Sequence, residues 1–300
     1  MPGAIQGLKL QPCDLVVSFS HCVAKGAVPP PGVPHVCYCF TPMRYAWHMR
    51  DSYLGKHRLG RLKRRVAGAL LGRLRDWDRA TAERVTHFVA ISRTIQQRIA
   101  ECYDRDSVVI YPPVDTDFYT PSWMQRESFY LCVSAFAPYK RLDLAIESCS
   151  RSGRDLIVIG SGQDESRWRA AAGPRVRFLG WQPDEVIRDH LRRCRALLFP
   201  GEEDFGIVPV EAMACGSPVI AYGRGGATET LLAGRTGLFF DEQTPDALIA
   251  AMEQFEAIAD RFDPKAARRQ AMHFSTSRYE QELFGYLDRV MGHERRELAA

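Results

Sequence analysis

Two glutamates, Glu203 and Glu211, stand eight positions apart in the run Glu-Asp-Phe-Gly-Ile-Val-Pro-Val-Glu. An apolar run at 196–200 precedes them and another at 218–222 follows. The pattern reads as a strand, a glycine turn and a helix start, because Pro209 suits the first helical turn, where its missing N–H costs nothing. The amides of Phe205, Gly206, Ile207 and Val208 then lack helical acceptors, and free N–H groups at a helix start attract phosphate. Gly206 lets the backbone approach a ligand closely. Glu211 falls within the first helical turn, placed to accept hydrogen bonds from ribose hydroxyls, and Glu203 sits at the strand end, placed for a sugar hydroxyl. A phosphate cradle between two hydroxyl acceptors is the chemistry of a sugar-nucleotide site.

These residues continue into Gly216-Ser-Pro-Val-Ile-Ala and Gly225-Gly226-Ala-Thr228-Glu229. With that continuation the chain resembles the family 4 glycosyltransferases, which are retaining, metal-independent enzymes of the GT-B fold. The resemblance extends to 134–147, around Lys140 and Arg141, and to 109–118, which is similar to an interdomain linker; the linker is expected near 112–127, marked by Pro112, Pro113 and Pro121. The segments 21–26 and 38–47 resemble mannosyltransferase-like members that build O-antigen and exopolysaccharide. The implied activity is transfer of a hexose, with mannose from GDP-mannose first among donors, onto a saccharide or lipid-linked acceptor in surface polysaccharide synthesis.

The same resemblance implies roles residue by residue. Glu203 and Lys140 are the expected catalytic pair, the lysine neutralising the diphosphate leaving group and so lowering the barrier. Donor contacts are expected from Glu211, the 205–208 amides, Arg141, Ser134, Gly160 and Gly180, the last within a segment, 177–181, that lies against the base. His21, Lys25, Arg44, Tyr45 and His48 are candidates for the acceptor side. Two positions depart from the family pattern. Ala135 stands where an arginine usually accompanies the lysine, with Arg141 as its possible substitute, and Phe40 stands where a histidine often contacts the donor sugar. Both keep open a catalytically impaired nucleotide-sugar-binding protein, and a nucleotide-sugar epimerase on the same fold is the other alternative.

Other patterns point elsewhere on first sight. Gly160-Ser-Gly162 begins a dinucleotide fingerprint, but Glu165 replaces its third glycine. Asp76-Trp-Asp78 and Asp115-Thr-Asp117 mimic an Asp-x-Asp metal motif; the first reads as helix surface and the second as a linker turn, so neither a metal nor another cofactor is expected. Residues 56–79 carry nine Lys or Arg against two Asp. Leu59, Leu62, Val66, Ala69 and Leu70 recur there at helical spacing, giving a basic amphipathic helix suited to an anionic membrane surface. Nucleic-acid binding is not expected, because basic, aromatic-rich patterning is absent elsewhere.

The elements that must hold this chemistry alternate between short apolar runs and helical patterns, which argues for parallel α/β units. Strands are expected at 129–136, 155–159, 176–179, 196–199, 218–222 and 237–241, with helices such as 142–150 and 246–258 between them. The first half offers strands near 15–18, 35–39, 87–91 and 108–111, and helices near 45–54, 59–85 and 93–102. Four strands are few for a GT-B lobe and no Gly-rich opening loop is found, so an N-terminal piece of about 70–90 residues is expected to be missing. The fold class is therefore α/β, GT-B, with two Rossmann-like doubly wound domains facing a cleft, the first incomplete. Domains are expected at 1–120 (acceptor side) and 121–276 (nucleotide sugar), with a helix at 277–300 crossing back.

Length and composition agree with this: 300 residues, 46% hydrophobic, net charge +4. No apolar run is long enough to span a bilayer and no signal peptide is evident. The nine cysteines contain no Cys-x-x-Cys and read as buried thiols of a cytoplasmic protein, peripheral on the inner face of the membrane at most.

Overall fold

The computed structural model describes residues 2–48, 60–122, 125–162 and 165–297. The chain divides into two compact units, Met1–Tyr111 with Glu280–Ala300, and Pro112–Tyr279.

The first unit carries a four-stranded parallel sheet, β1 (Val16–Ser20), β2 (His35–Cys39), β3 (His87–Ala90) and β4 (Ser107–Val109), in the order β1-β2-β3-β4. Helices Arg61–Ala82 and Arg93–Tyr103 connect its later strands. The second of these starts where the Ser92 side chain accepts the Ile95 amide, satisfying one of the orphan donors of the first turn. It ends at Asp104 in the left-handed region, φ 55°. From Glu280 onward the C-terminal helix Thr276–Glu297 belongs to this unit, with the Tyr286 ring 6.3 Å from that of His87. The expected helix at 45–54 is not seen in its described part, where 44–48 form turns. The rest of that segment, 49–54, and residues 56–59 of the basic stretch lie outside the described residues.

The second unit holds a six-stranded parallel sheet made of β5 (Tyr130–Val133), β6 (Leu156–Ile159), β7 (Val176–Gly180), β8 (Ala196–Phe199), β9 (Val219–Tyr222) and β10 (Gly237–Phe240). Its order is β10-β9-β8-β5-β6-β7. Side chains alternate across the pleat, so Tyr130 and Cys132, Leu156 and Val158, Ala196 and Leu198, Ile220 and Tyr222, and Leu238 and Phe240 share one core face. Helices Leu142–Ser152 and Pro245–Ile258 cover it with Leu142, Ile146, Cys149, Leu248, Met252 and Phe255. Both faces of a parallel sheet need such cover, which is why these strands read as near-continuous apolar runs. The order reverses between β5 and β8, making that pair the topological switch point, where open α/β sheets bind ligands at the carboxyl ends of their strands.

Candidate functional site

In the second unit the expected donor residues converge on those strand ends. The loop after β8 carries Glu203, whose carbonyl accepts the Gly226 amide at 2.7 Å and which bridges to Gly225 in the loop after β9. The loop after β5 carries Lys140, at the end of a 3-10 turn, Pro138–Lys140. Lys140 Nζ lies 2.5 Å from Glu203 Oε1, and both side chains keep partial access to solvent. Gly201 lets the two loops meet, since a Cβ there would lie 2.9 Å from Lys140 Cα.

The helix after Glu203 runs Ile207–Ala214 with Gly206 as its N-cap, at φ 87°, a conformation glycine adopts without strain. Pro209 is thus the third helical residue, two places later than the position where proline is most favoured, and still within the turn that lacks acceptors. Among the described residues the amides of Gly206, Ile207 and Val208 donate to no backbone carbonyl. Phe205 is buried, its ring 5.6 Å from that of Phe274, so its side chain anchors the loop.

Glu211 follows one turn later and is half-buried. Burial, with the nearby Asp184 carboxylate, pushes it up to about 7 against the pull of the Tyr119 hydroxyl that donates to it. Tyr119 lies in a segment strapped down by arginines: Arg268 donates to the carbonyls of Thr116 and Tyr119 (both 2.7 Å), and Arg188 to that of Phe118 (3.2 Å). Sequence reasoning missed Tyr119 and Asp184, because the contacts join the linker, one helix start and another helix across many residues. Nothing local marks them.

Arg141 does not stand free beside Lys140. It occupies the left-handed region, φ 51°, and its guanidinium is held by Asp143 (3.2 Å) and by Gln243 Oε1 (3.2 Å). Gln243 in turn donates to the Pro200 carbonyl at 2.8 Å. Arg141 therefore ties the β5 loop to the β8 loop through Gln243, a contact that sequence did not reveal. Ser134 donates its amide to Ile159 and its hydroxyl to the neighbouring Ala135 carbonyl. Gly160 packs so tightly below it that a Cβ would lie 1.9 Å from the Ser134 carbonyl oxygen. Its amide donates to Gly180 at 2.8 Å. Ser134, Gly160 and Gly180 thus form one backbone-linked rim over β5, β6 and β7.

The acceptor-side candidates in the first unit separate into two groups. Lys25 is not on a surface: it is 1% exposed, pairs with Asp78 at 2.9 Å, donates to Thr81 at 3.0 Å, and lies over the Tyr103 ring. Asp78 also accepts from Trp47 and Tyr103, each at 2.8 Å. The expectation that Asp76-Trp-Asp78 is helix surface is therefore corrected for Asp78, which is the fully buried hub of a core network. A buried charge requires such partners. His21 and His48 are exposed, Arg44 and Tyr45 half-buried. The Tyr45 hydroxyl meets Cys22 Sγ at 2.7 Å and His48 lies 3.5 Å from Cys102 Sγ. Phe40 packs with Phe19 and Tyr38, its ring centroid 5.6 Å from that of Tyr38.

Asp115 Oδ1 accepts the amides of Asp117 and Phe118, a turn. Among the described residues no group of three or more His, Cys, Asp or Glu is arranged to hold a metal ion, and none of the helices is long and apolar enough to cross a membrane. All nine cysteines are free, seven of them buried. On the helix Arg61–Ala82, Val66 and Leu70 are 54% and 58% exposed, with Arg65 and Arg73 exposed beside them.

A family model described as glycosyl transferases group 1 matches residues 116–271, more than half of the chain. A GDP-mannose-dependent alpha-(1-6)-phosphatidylinositol monomannoside mannosyltransferase of Mycolicibacterium smegmatis is 29% identical over 208 residues, covering 59% of this chain and 53% of that protein. An O-antigen chain mannosyltransferase of Escherichia coli is 28% identical over 154 residues, 48% of this chain and 42% of its own length. The chain spans about half the length of the curated relatives it matches. Among solved structures, HepE of Anabaena in complex with UDP superposes with a TM-score of 0.67 at 19% identity, covering 85% of this chain and 72% of that one. Sucrose-phosphate synthase from Thermosynechococcus elongatus superposes with a TM-score of 0.71 at 17% identity, covering 86% and 68%. The fold is the GT-B fold of these enzymes.

Proposed function

The chain belongs to the glycosyl transferases group 1 family, and from that premise we propose a retaining, metal-independent hexosyltransferase that moves mannose from GDP-mannose to a saccharide or lipid-linked acceptor of surface polysaccharide. The observation that carries the reading is the Lys140–Glu203 pair at the switch point, beside the acceptor-free amides of 206–208. The donor preference rests on the GDP-mannose-dependent and O-antigen mannosyltransferases among the relatives.

In this reading the diphosphate lies on Lys140 and the helix-start amides, the ribose hydroxyls donate to Glu211, and a sugar hydroxyl donates to Glu203. The bond from the anomeric carbon to the leaving phosphate oxygen breaks while the acceptor oxygen bonds to the same face of that carbon. The acceptor proton passes to the leaving phosphate. Positive charge fixed at the departing oxygen is what lowers the barrier. Exposed Val66 and Leu70 flanked by Arg65 and Arg73 favour docking on an anionic membrane bearing the acceptor. A second reading, nucleotide-sugar binding without turnover, is favoured by the apolar Phe19–Tyr38–Phe40 cluster.

The test is mannose transfer from GDP-mannose to a lipid-linked saccharide, with and without chelator. Transfer unaffected by chelator with anomeric retention supports the proposal. Donor binding without product supports the second reading; without acceptor, release of free mannose would indicate hydrolysis, and release of its epimer an epimerase-type activity.

A further inference from the structure

At the amino ends of β5, β8, β9 and β10, within the second unit, lies a cavity of about 460 Å³. Ser128, Arg195, Pro218 and Thr236 line it, each standing one or two places before one of these strands. The loops that carry Lys140 and Glu203 leave the opposite, carboxyl ends of β5 and β8, about 13 Å away at about 3.3 Å of strand per residue. None of the donor residues described above lines the cavity. Its volume falls within the range of about 300–1,000 Å³ that small-molecule sites occupy.

Three guanidinium groups border this cavity, from Arg126, Arg195 and Arg235. Arg126 donates to the Cys194 carbonyl at 3.1 Å, to the Ser217 hydroxyl at 2.6 Å and to the Gly216 carbonyl. These acceptors are neutral, and among the described residues no carboxylate pairs with it. Burial pulls its guanidinium below its ordinary value. Arg235 is exposed, and among the described residues its side chain has no hydrogen-bond or ion-pair partner. Arg195 reaches Glu256 only at 4.0 Å, and that carboxylate is already held by Arg154 at 2.7 Å. Three carboxylates also border the cavity, but two are engaged elsewhere. Glu127 is taken by Arg193, and Asp263 accepts the Lys265 amide at 2.8 Å and pairs with Arg269 at 3.3 Å. Asp260 remains, one carboxylate against three guanidiniums. Cations so poorly compensated favour an anion between them. The lining is otherwise largely apolar: Phe255 is buried, and the half-buried Phe262 ring lies 5.1 Å from it, beside Pro218 and Pro264.

We infer that this cavity is a second anion site, apart from the donor crevice, that takes a phosphate monoester with an apolar body. The planar guanidinium fork matches phosphate oxygens in pairs, and a phosphate dianion is shared readily between forks. The Phe255–Phe262 wall receives the body, because contact there removes apolar surface from water.

The experiment titrates phenyl phosphate and inorganic phosphate by calorimetry into the full chain, Arg235→Ala, Arg195→Ala, Arg195→Lys and Lys140→Met, with a thermal melt of each. Phenyl phosphate is expected to bind the unaltered chain saturably, about tenfold or more tighter than inorganic phosphate. Arg235→Ala and Arg195→Ala should each weaken it about 5- to 20-fold, because each removes a charge-assisted bond at a head that keeps some water. Arg195→Lys keeps the charge without the fork and should fall between Arg195→Ala and the unaltered chain, which separates loss of the site from loss of the fold. Lys140→Met should leave phenyl phosphate binding unchanged. Absence of saturable binding to the unaltered chain overturns the inference. Binding lost in Lys140→Met and intact in both alanine variants overturns it too, by placing the anion in the donor crevice. Equal affinity for the two phosphates overturns the assigned ligand class.

Discussion

Lys140 Nζ and Glu203 Oε1, 2.5 Å apart, join the loop after β5 to the loop after β8, the two strands between which the order of the six-stranded sheet reverses. Each group neutralises the other. In the proposed donor complex, a diphosphate that takes Lys140 would release Glu203 to a sugar hydroxyl.

Lys140→Met is accordingly expected to lower kcat by about 10²–10³-fold, the range for removing one preorganised group that stabilises developing charge. Its melting temperature should stay close to that of the unaltered chain, because a partly exposed pair contributes only about 0–1 kcal/mol. Steady-state kinetics beside a thermal melt decide this; a variant that melts much earlier, or that retains full turnover, contradicts it.

If the ribose lies on Glu211 as proposed, its carboxyl, held up to about 7, should make nucleotide binding pH-dependent. Ribose hydroxyls donate to the charged form, so affinity should be full above pH 7 and fall up to tenfold per pH unit below it. For stability the sign is opposite. A carboxyl raised on folding contributes stability that is present below its unfolded value, near 4.5, and is lost as pH rises through 7. Glu211→Gln should flatten the binding profile and melt higher than the unaltered chain at pH 8 but not at pH 4. Calorimetric titrations from pH 5.5 to 8.5 and paired melts check both signs.

Much of this site was legible because its parts are local. Glu203, Gly206 and Glu211 lie within nine residues, and the strands of the second unit are apolar runs with turn residues at their ends. What was not legible depends on distant contacts or on burial. Lys25 and Asp78 look like solvated charges in sequence, yet 53 positions apart they close a buried pair. Arg141 looks like a free phosphate clamp until Asp143 and Gln243 take its guanidinium. Tyr119 reads as linker until Arg268 and Arg188 fix the segment that carries it.

Lys25→Met leaves the buried Asp78 carboxyl with Trp47 and Tyr103 as its donors among the described residues. It should destabilise the first unit by about 3–5 kcal/mol, as breaking a buried pair does. Urea unfolding followed by tryptophan fluorescence measures this. A loss below about 1 kcal/mol would assign Lys25 to the surface after all.

On the helix Arg61–Ala82, the double variant Val66→Asp, Leu70→Asp should reduce co-sedimentation with vesicles containing phosphatidylglycerol, and binding of the unaltered chain should weaken as salt is raised. Binding that is indifferent to both changes removes the membrane-docking proposal without touching the donor site.

The second unit is proposed to bind a nucleotide sugar through Glu211 and the helix-start amides. Calorimetric titration of the chain with GDP, UDP and ADP, repeated with Glu211→Ala, is the decisive measurement. Saturable GDP binding that is lost in the variant is expected. Preference for UDP would keep the site and overturn GDP-mannose as donor, whereas no binding to any of the three would overturn the donor site.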